Sequence, residues 1–417
     1  MKVTIDLTEK CNLKCKHCGN ANDSFITNGV DVDFVSILKE IPYTITKVDL
    51  LGGEPLLYDK LDTLFNYLAE NRVEVSLISN GQFGDEVAKY LSKKSVKNIS
   101  ISIDGLKKEN DEVRGAGSFD KAVAFLNSLL KYRTDDKMMI GVNIVINRLN
   151  CGGIYTLIHK LFSQGVDYIR INRILESGRA CGTDLLLDDD QYLNEIEKIC
   201  IEFYKSDLMK KISFDLETPF LAYYLNIKYH MENELKIDFC DAAQHSVYIN
   251  ARGNIYPCRA YNDVIHLLDF QNEFFTCAKR LIEKTENIEM DIYCNDCFLK
   301  QYCFQCPLNK KNPTICKALE IRFLGYLDKF KKSKIRIRND MFVINTKNKT
   351  YLVNPSFEKN YIMEDKNREL ISYFNTEDTL EKISVQNHID YYVLADFVLD
   401  LARKGGCELY ESEKNYC

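Results

Sequence analysis

Cys11-Asn12-Leu13-Lys14-Cys15-Lys16-His17-Cys18 sets three cysteines at C-x3-C-x2-C spacing, directly after the strand-like run Val3 to Leu7. Hydrophobic packing gives no reason for cysteines to recur at this spacing, whereas thiolates gathered in one tight loop make a metal or cluster site. The odd number is informative. A structural zinc or a closed cubane takes four protein ligands, so three thiolates leave one coordination position for something that is not protein. An open position of that kind serves chemistry rather than scaffolding.

The chain has 417 residues, long enough for about three domains. Lys and Arg number 55 against 61 Asp and Glu, a formal charge of −6 that argues against duplex nucleic acid or an anionic membrane as the main partner. No N-terminal stretch pairs a basic region with an apolar one, and no apolar run reaches about 18 residues, so the expectation is a soluble, cytoplasmic protein with neither nucleic-acid nor membrane partner. In a reducing compartment the 16 cysteines are not a disulfide framework. Ten fall into two spaced groups, Cys11 to Cys18 and Cys240 to Cys316. The others, Cys151, Cys181, Cys200, Cys277, Cys407 and Cys417, read as small hydrophobes or surface thiols.

From residue 1 to about 205, apolar β-branched runs alternate with amphipathic segments, the pattern of a parallel sheet covered by helices. Strands are expected at Val3 to Leu7, Lys47 to Leu51, Glu74 to Ser79, Asn98 to Ile103, Met138 to Ile146 and Tyr168 to Asn172. Helices are expected near Asp33 to Glu40, Leu61 to Asn71, Asp85 to Lys93, Phe119 to Tyr132, Ile154 to Gln164 and Asp190 to Lys205. Six strand-helix units make a partial (β/α)6 TIM-like barrel, in which chemistry gathers at the C-terminal strand ends. Gly52-Gly53-Glu54-Pro55 follows the second strand, Ser79-Asn80 the third, and Ser102 and Asp104 close the fourth. Asn143 is a polar residue amid apolar neighbours in the fifth strand, and Gly178-Arg179-Ala180 follows the sixth. Two adjacent glycines permit close backbone approach, and Glu54 offers an anion to an ammonium group.

The three-cysteine spacing with the GGEP turn resembles the radical S-adenosylmethionine (SAM) superfamily. The resemblance implies a 4Fe-4S cluster on Cys11, Cys15 and Cys18, with SAM on the fourth iron. It further implies that Gly52, Gly53, Glu54 and Pro55 receive the amino group of SAM, while Ser79, Asn80, Ser102, Asp104, Asn143 and Arg179 surround the rest of it. The activity implied is reductive cleavage of SAM to a 5′-deoxyadenosyl radical, fed by an external electron donor such as flavodoxin or ferredoxin. His17 stands where many relatives place an aromatic residue. Arg114 reads equally as a carboxylate partner or as a local loop ion pair.

Beyond residues 206–239, read as a bridging linker, stand Cys240, Cys258, Cys294, Cys297, Cys303, Cys306 and Cys316. Their pattern resembles the SPASM extension of peptide-modifying radical SAM enzymes, which binds two auxiliary 4Fe-4S clusters. Carried over, one cluster takes Cys240, Cys258 and Cys306, with Asp241 or His245 available to close it, and the other takes Cys294, Cys297, Cys303 and Cys316. The family has x3 where Cys303 and Cys306 are separated by x2. A zinc ribbon is the alternative for these paired cysteines, although it leaves Cys240 and Cys258 unexplained. After a helix to about Lys331, a hairpin at 341–354 precedes helices at Asn367 to Phe374, Thr379 to Gln386 and Tyr391 to Lys404, the last ending at Gly405-Gly406. This succession is similar to a PqqD-type winged domain that binds a precursor leader by strand addition.

The expected organisation is therefore a partial barrel over 1–205, a linker over 206–239, a SPASM-type cluster domain over 240–333 and a PqqD-like winged-helix domain over 334–417. The implied function is a maturase of a ribosomally made peptide, forming a thioether or carbon-carbon crosslink. A sulfatase-type maturase making formylglycine and a non-enzymatic iron-sulfur carrier or peptide-binding scaffold are the alternatives.

Overall fold

The computed structural model describes residues 1–19, 32–133, 138–174, 176–214, 219–229, 242, 245–259, 264–286, 314–337, 342–345, 350–353, 360–363, 374, 376–403, 406–411 and 414–416. Cys240, Asp241, Cys294, Cys297, Cys303, Cys306, the turn at 346–349, most of the helix expected at Asn367 to Phe374, and Gly405 lie outside these residues.

The first half alternates strand and helix: β1 (Lys2–Asp6), α1 (Phe34–Glu40), β2 (Lys47–Leu51), α2 (Leu61–Glu70), β3 (Glu74–Ser79), α3 (Asp85–Leu91) and β4 (Val96–Ser102). It continues through α4 (Lys107–Arg114), α5 (Ser118–Tyr132), β5 (Met139–Ile146), α6 (Ile154–Ser163), β6 (Tyr168–Arg173), α7 (Asp189–Phe203) and β7 (Ile212–Phe214). Then come α8 (Pro219–Tyr229), β8 (Ser246–Ile249), β9 (Ile255–Tyr256) and α9 (Phe270–Glu286). The last part holds α10 (Thr314–Leu327), β10 (Lys334–Ile337), β11 (Phe342–Asn345), β12 (Thr350–Val353), β13 (Asn360–Met363), α11 (Leu380–Gln386), α12 (Tyr391–Arg403), β14 (Cys407–Glu411) and β15 (Lys414–Tyr416).

Nine strands form one sheet in the order β7-β6-β5-β4-β3-β2-β1-β8-β9, parallel except for the β8-β9 pair. Sequential parallel neighbours from β1 to β7 are the order of a partial TIM-like barrel. Burial alternates along the strands: in β3, Val75, Leu77 and Ser79 are buried while Glu74, Ser76 and Ile78 are half-buried. One face therefore packs against helices and the other does not, unlike a parallel sheet covered on both sides. The helices supply matching stripes. In α2, Leu61, Leu64, Phe65 and Leu68 are buried, and α6 repeats the spacing with Ile154, Leu157, Ile158 and Leu161. Asp188 and Gln191 start α7 with a reciprocal capping box.

Contacts divide the chain into two units, 1–219 with 236–313, and 220–235 with 314–417. The stretch expected as a linker carries secondary structure of its own. Residues 206–239 supply β7, paired to β6, and α8, most of which belongs to the second unit. In that unit Phe323 of α10 is met edge-on by Phe220, Tyr223 and Tyr224 at 6.0, 6.0 and 6.2 Å. Its strands make two antiparallel sheets, β10-β14-β15 and β11-β12-β13, and α11 starts at the Thr379 cap.

Candidate functional site

The loop leaving β1 is fixed by the turn after β2. Gly53 N–H donates to Thr8 O at 2.7 Å, and Glu54 N–H to Lys10 O at 2.8 Å. A Cβ on Gly53 would stand 2.3 Å from Lys10 O, and Gly52 takes φ +133°, so both glycines are required for this approach. The close approach expected toward a ligand is thus made, in this structure, to the backbone that introduces Cys11.

Glu54 is buried, and three donors reach its carboxylate: Leu56 N–H at 3.2 Å, Ser79 Oγ–H at 2.9 Å and Asn80 N–H at 2.7 Å. Burial pushes its carboxyl up to about 7 against the pull of those donors. Asn80 continues toward the loop, its Nδ2 donating to Asn12 Oδ1 at 2.6 Å and lying 3.7 Å from Cys11 Sγ. On the other side, Arg179 N–H donates to Cys18 O at 3.0 Å and Arg179 Nε–H to Cys15 O at 3.0 Å. Gly178, at φ +56°, leaves room that a Cβ 2.5 Å from Cys18 O would take. The Gly178–Ala180 turn therefore clamps the cysteine loop.

These pieces wall one cavity of about 490 Å³, lined by all three cysteines, Gly52, Gly53, Glu54, Ser79, Asn80, Ser102, Arg114, Arg179 and Arg259. Pro55 is buried behind it, starting the short 3-10 turn Pro55–Leu57. Asp104 corrects its expected role. It is fully buried and receives Arg114 Nε–H at 2.7 Å, Arg114 Nη2–H at 3.1 Å and Val145 N–H at 2.9 Å, so no face of it is left for a ligand. Burial would raise its carboxyl, but the Arg114 charge, that of His17 and the Val145 N–H outweigh burial and hold it below its usual range. Asp104 instead fixes Arg114, which lies in α4 rather than in a loop and forms a cavity wall. Asn143 is not part of that wall. It pairs in register with Ser102, which is, and its buried Oδ1 has no hydrogen-bond partner.

His17 also turns inward, its Nε2 3.5 Å from Asp104 Oδ2, and burial pushes its imidazole down to about 4. Burial raises the Cys11 thiol and pushes Cys15 up to about 11, opposed at Cys15 by the Arg114 charge. Arg259, directly after Cys258, was not anticipated. It donates through Nη2 to Asp6 Oδ1 at 2.9 Å and Oδ2 at 2.8 Å, and Tyr248 O–H donates to Asp6 Oδ2 at 2.7 Å. Its only signal in the sequence is a cation beside a candidate ligand cysteine.

The donor set fits a multi-iron cluster. Three thiols from one loop face a cavity, the number of cysteine ligands that leaves one iron of a 4Fe-4S cluster open. Of the second cysteine group, only Cys258 and Cys316 are described, each half-buried, one in each unit.

Residues 5–148 match the family model described as the Radical SAM superfamily. Mycofactocin maturase MftC of Mycobacterium tuberculosis is 31% identical over 192 residues, 45% of this chain and 47% of that protein. Fe-coproporphyrin III synthase of Methanosarcina barkeri is 27% identical over the same length and shares. Sporulation killing factor maturation protein SkfB of Bacillus subtilis is 23% identical over 264 residues, 62% of this chain and 60% of that protein. The chain thus spans about half to three fifths of these curated relatives. The fold resembles Streptococcus suis SuiB bound to precursor peptide SuiA, at TM-score 0.56 and 17% identity over 76% of this chain and 75% of that one. No helix among the described residues is long and apolar enough to cross a membrane. The stretch that matches the Radical SAM model, residues 5–148, contains every residue named in the cavity wall except Arg179 and Arg259.

Proposed function

We propose that this chain is a radical SAM peptide maturase, acting in the cytoplasm on a ribosomally made precursor. The observation that carries the reading is the meeting of Cys11, Cys15, Cys18 and the Glu54 turn in one cavity ringed by arginines. When bound, the 4Fe-4S cluster and SAM supply a 5′-deoxyadenosyl radical able to take hydrogen from an unactivated carbon. The chain's residues do the rest. Cys11, Cys15 and Cys18 hold the cluster, and the Gly52 to Pro55 turn, Ser79, Asn80 and Ser102 orient SAM. Arg179 keeps the loop closed, and the Arg114 charge works against the burial that raises the Cys15 thiol.

A peptide is favoured as substrate by three features. These are the second cysteine group, the likeness to the SuiB–SuiA complex, and the three-stranded β11-β12-β13 sheet, whose edges suit an added strand. In this reading two auxiliary clusters use Cys240, Cys258, Cys294, Cys297, Cys303, Cys306 and Cys316, and flavodoxin or ferredoxin supplies the electrons. The domain succession 1–205, 206–239, 240–333 and 334–417 is kept as cluster barrel, bridge, auxiliary cluster domain and leader-binding domain. Anaerobic reconstitution tests the proposal: about twelve irons per chain and release of 5′-deoxyadenosine from SAM and dithionite are expected. About four irons with no 5′-deoxyadenosine would overturn it.

A further inference from the structure

A second cavity, of about 250 Å³, opens on the sheet face turned away from the helices, and it shares Leu51 and Ile78 with the cysteine cavity. Leu51, Leu77 and Ile78 line part of it, and the rest of the wall is polar where a barrel interior filled by packing would be apolar. The polar part includes Lys2, Lys47, Asp49, Ser100, Tyr168 and Arg170. Three cations face one carboxylate, in a protein whose formal charge is −6.

The cations are not equivalent. Lys2 and Lys47 share Asp49 at 3.1 and 3.9 Å, and Lys47 also meets Glu74 at 3.6 Å. Arg170 is exposed and has no hydrogen bond or ion pair among the described residues. Its backbone is nevertheless held on both sides, β6 pairing with β5 at Asn143 and with β7 at Ser213, so the guanidinium projects from a rigid strand. One residue earlier on this face, the Tyr168 ring lies across Gly141, where a Cβ would come within 2.4 Å of it, and its hydroxyl meets Ser100 Oγ at 2.7 Å. Gly141 thus makes room for the aromatic wall. Beside the Tyr168 wall, this exposed guanidinium is open to an anion.

We infer that this chamber receives a carboxylate of the substrate, with Arg170 as its charge-assisted ligand and Tyr168 as its wall. A planar carboxylate suits the guanidinium fork, and one unpaired cation matches one negative charge. The chamber adjoins the cavity assigned to SAM through Leu51 and Ile78. The inference rests on the proposed function and narrows it: the peptide carries an acidic side chain that enters the barrel interior.

Dicarbonyl footprinting tests this on the full, cluster-loaded chain. Phenylglyoxal modification of Arg170 is followed by peptide mass mapping, with Arg72, on the surface turn after α2, as internal control. The probes are N-acetyl-Gly-Glu-Gly-amide, its Gly-Gln-Gly counterpart and free glutarate. The glutamate peptide is expected to slow modification at Arg170 about tenfold when nine-tenths of the site is occupied, with no change at Arg72. The glutamine peptide should not protect. In direct titration the glutamate peptide should bind about tenfold or more tightly than the glutamine peptide, and Arg170→Met should abolish that difference while Arg170→Lys keeps part of it. Because Arg170 has no internal partner, Arg170→Met should melt with the wild type. Protection by glutarate alone keeps the carboxylate site and removes the peptide substrate. Equal protection by the glutamate and glutamine peptides, or protection by none of the three probes, overturns the chamber itself.

Discussion

Replacing Asp104 by Asn tests whether the arginine behind the cysteine loop is held as described. Asp104 is fully buried and the Arg114 side chain is only 9% exposed, so bulk water screens neither. The substitution turns one acceptor oxygen into a donor that faces Arg114 or the Val145 N–H. Breaking a buried pair from one side leaves an uncompensated charge, at a cost of about 3–5 kcal/mol. Replacing both partners, as in Asp104→Leu with Arg114→Met, removes both charges and should cost less than Asp104→Asn alone. Amide exchange along β4 and β5 in the full chain reads this directly, since about 1.4 kcal/mol is tenfold in an opening equilibrium. Asp104→Asn should speed exchange there by roughly two to three and a half orders of magnitude. Acid adds a second reading. The Asp104 carboxyl is held below its ordinary value, so its contribution is present above the usual carboxylate range and fades as pH falls through the folded value. The double variant should lack that acid sensitivity. A change under about 1 kcal/mol in Asp104→Asn, or a double variant as costly as the two singles added, would refute the reasoning.

Three further outcomes follow from the same geometry. Gly53→Ala puts a methyl 2.3 Å from Lys10 O, a contact that only backbone movement relieves, so iron incorporation after reconstitution should fall several-fold while the far-UV spectrum stays unchanged. In the metal-free chain, Glu54 rises from an ordinary 4.5 to about 7 on folding, so wild-type stability should decline by about 3 kcal/mol as pH rises between those values, a decline absent in Glu54→Gln. The glutamine variant in turn sets an amide among three donors and should cost about 1–3 kcal/mol at acidic pH, measured by urea denaturation. Phe323→Ala removes the ring met by Phe220, Tyr223 and Tyr224, and should cost the second unit about 3–5 kcal/mol by the same measurement.

Strand alternation made most of the sheet legible before the structure. β2 and β3 begin and end where their apolar runs do, and β5 differs by one residue. The stretch after residue 206 was opaque for a physical reason. In α8, Phe220, Leu221, Ala222, Tyr224, Leu225, Ile227 and Tyr229 are all buried, so no polar face marks a helical period. β7 is three residues long, too short for alternation to register. At the site, the cysteine loop and the GGEP turn were readable because each is a local signature. The clamp of Arg179 on Cys15 and Cys18 and the Arg259–Asp6 pair join residues more than 150 apart, which spacing cannot reveal. Asp104 was misread because its position on a strand end is the same whether it faces a ligand or an arginine behind it.

The place of β1 in the sheet orders events during synthesis. Its neighbours are β2, which follows within 50 residues, and β8, which ends at Ile249. Until the ribosome has made some 250 residues, the strand that leads into Cys11 keeps an open edge, and Arg259 has not yet arrived to cap Asp6. An unpaired edge held open that long is a site of wrong pairing, and the long loop to close makes its completion slow. Docking of β8 and Arg259 against β1 is therefore a late step of folding, and chains released before about residue 259 should associate through β1.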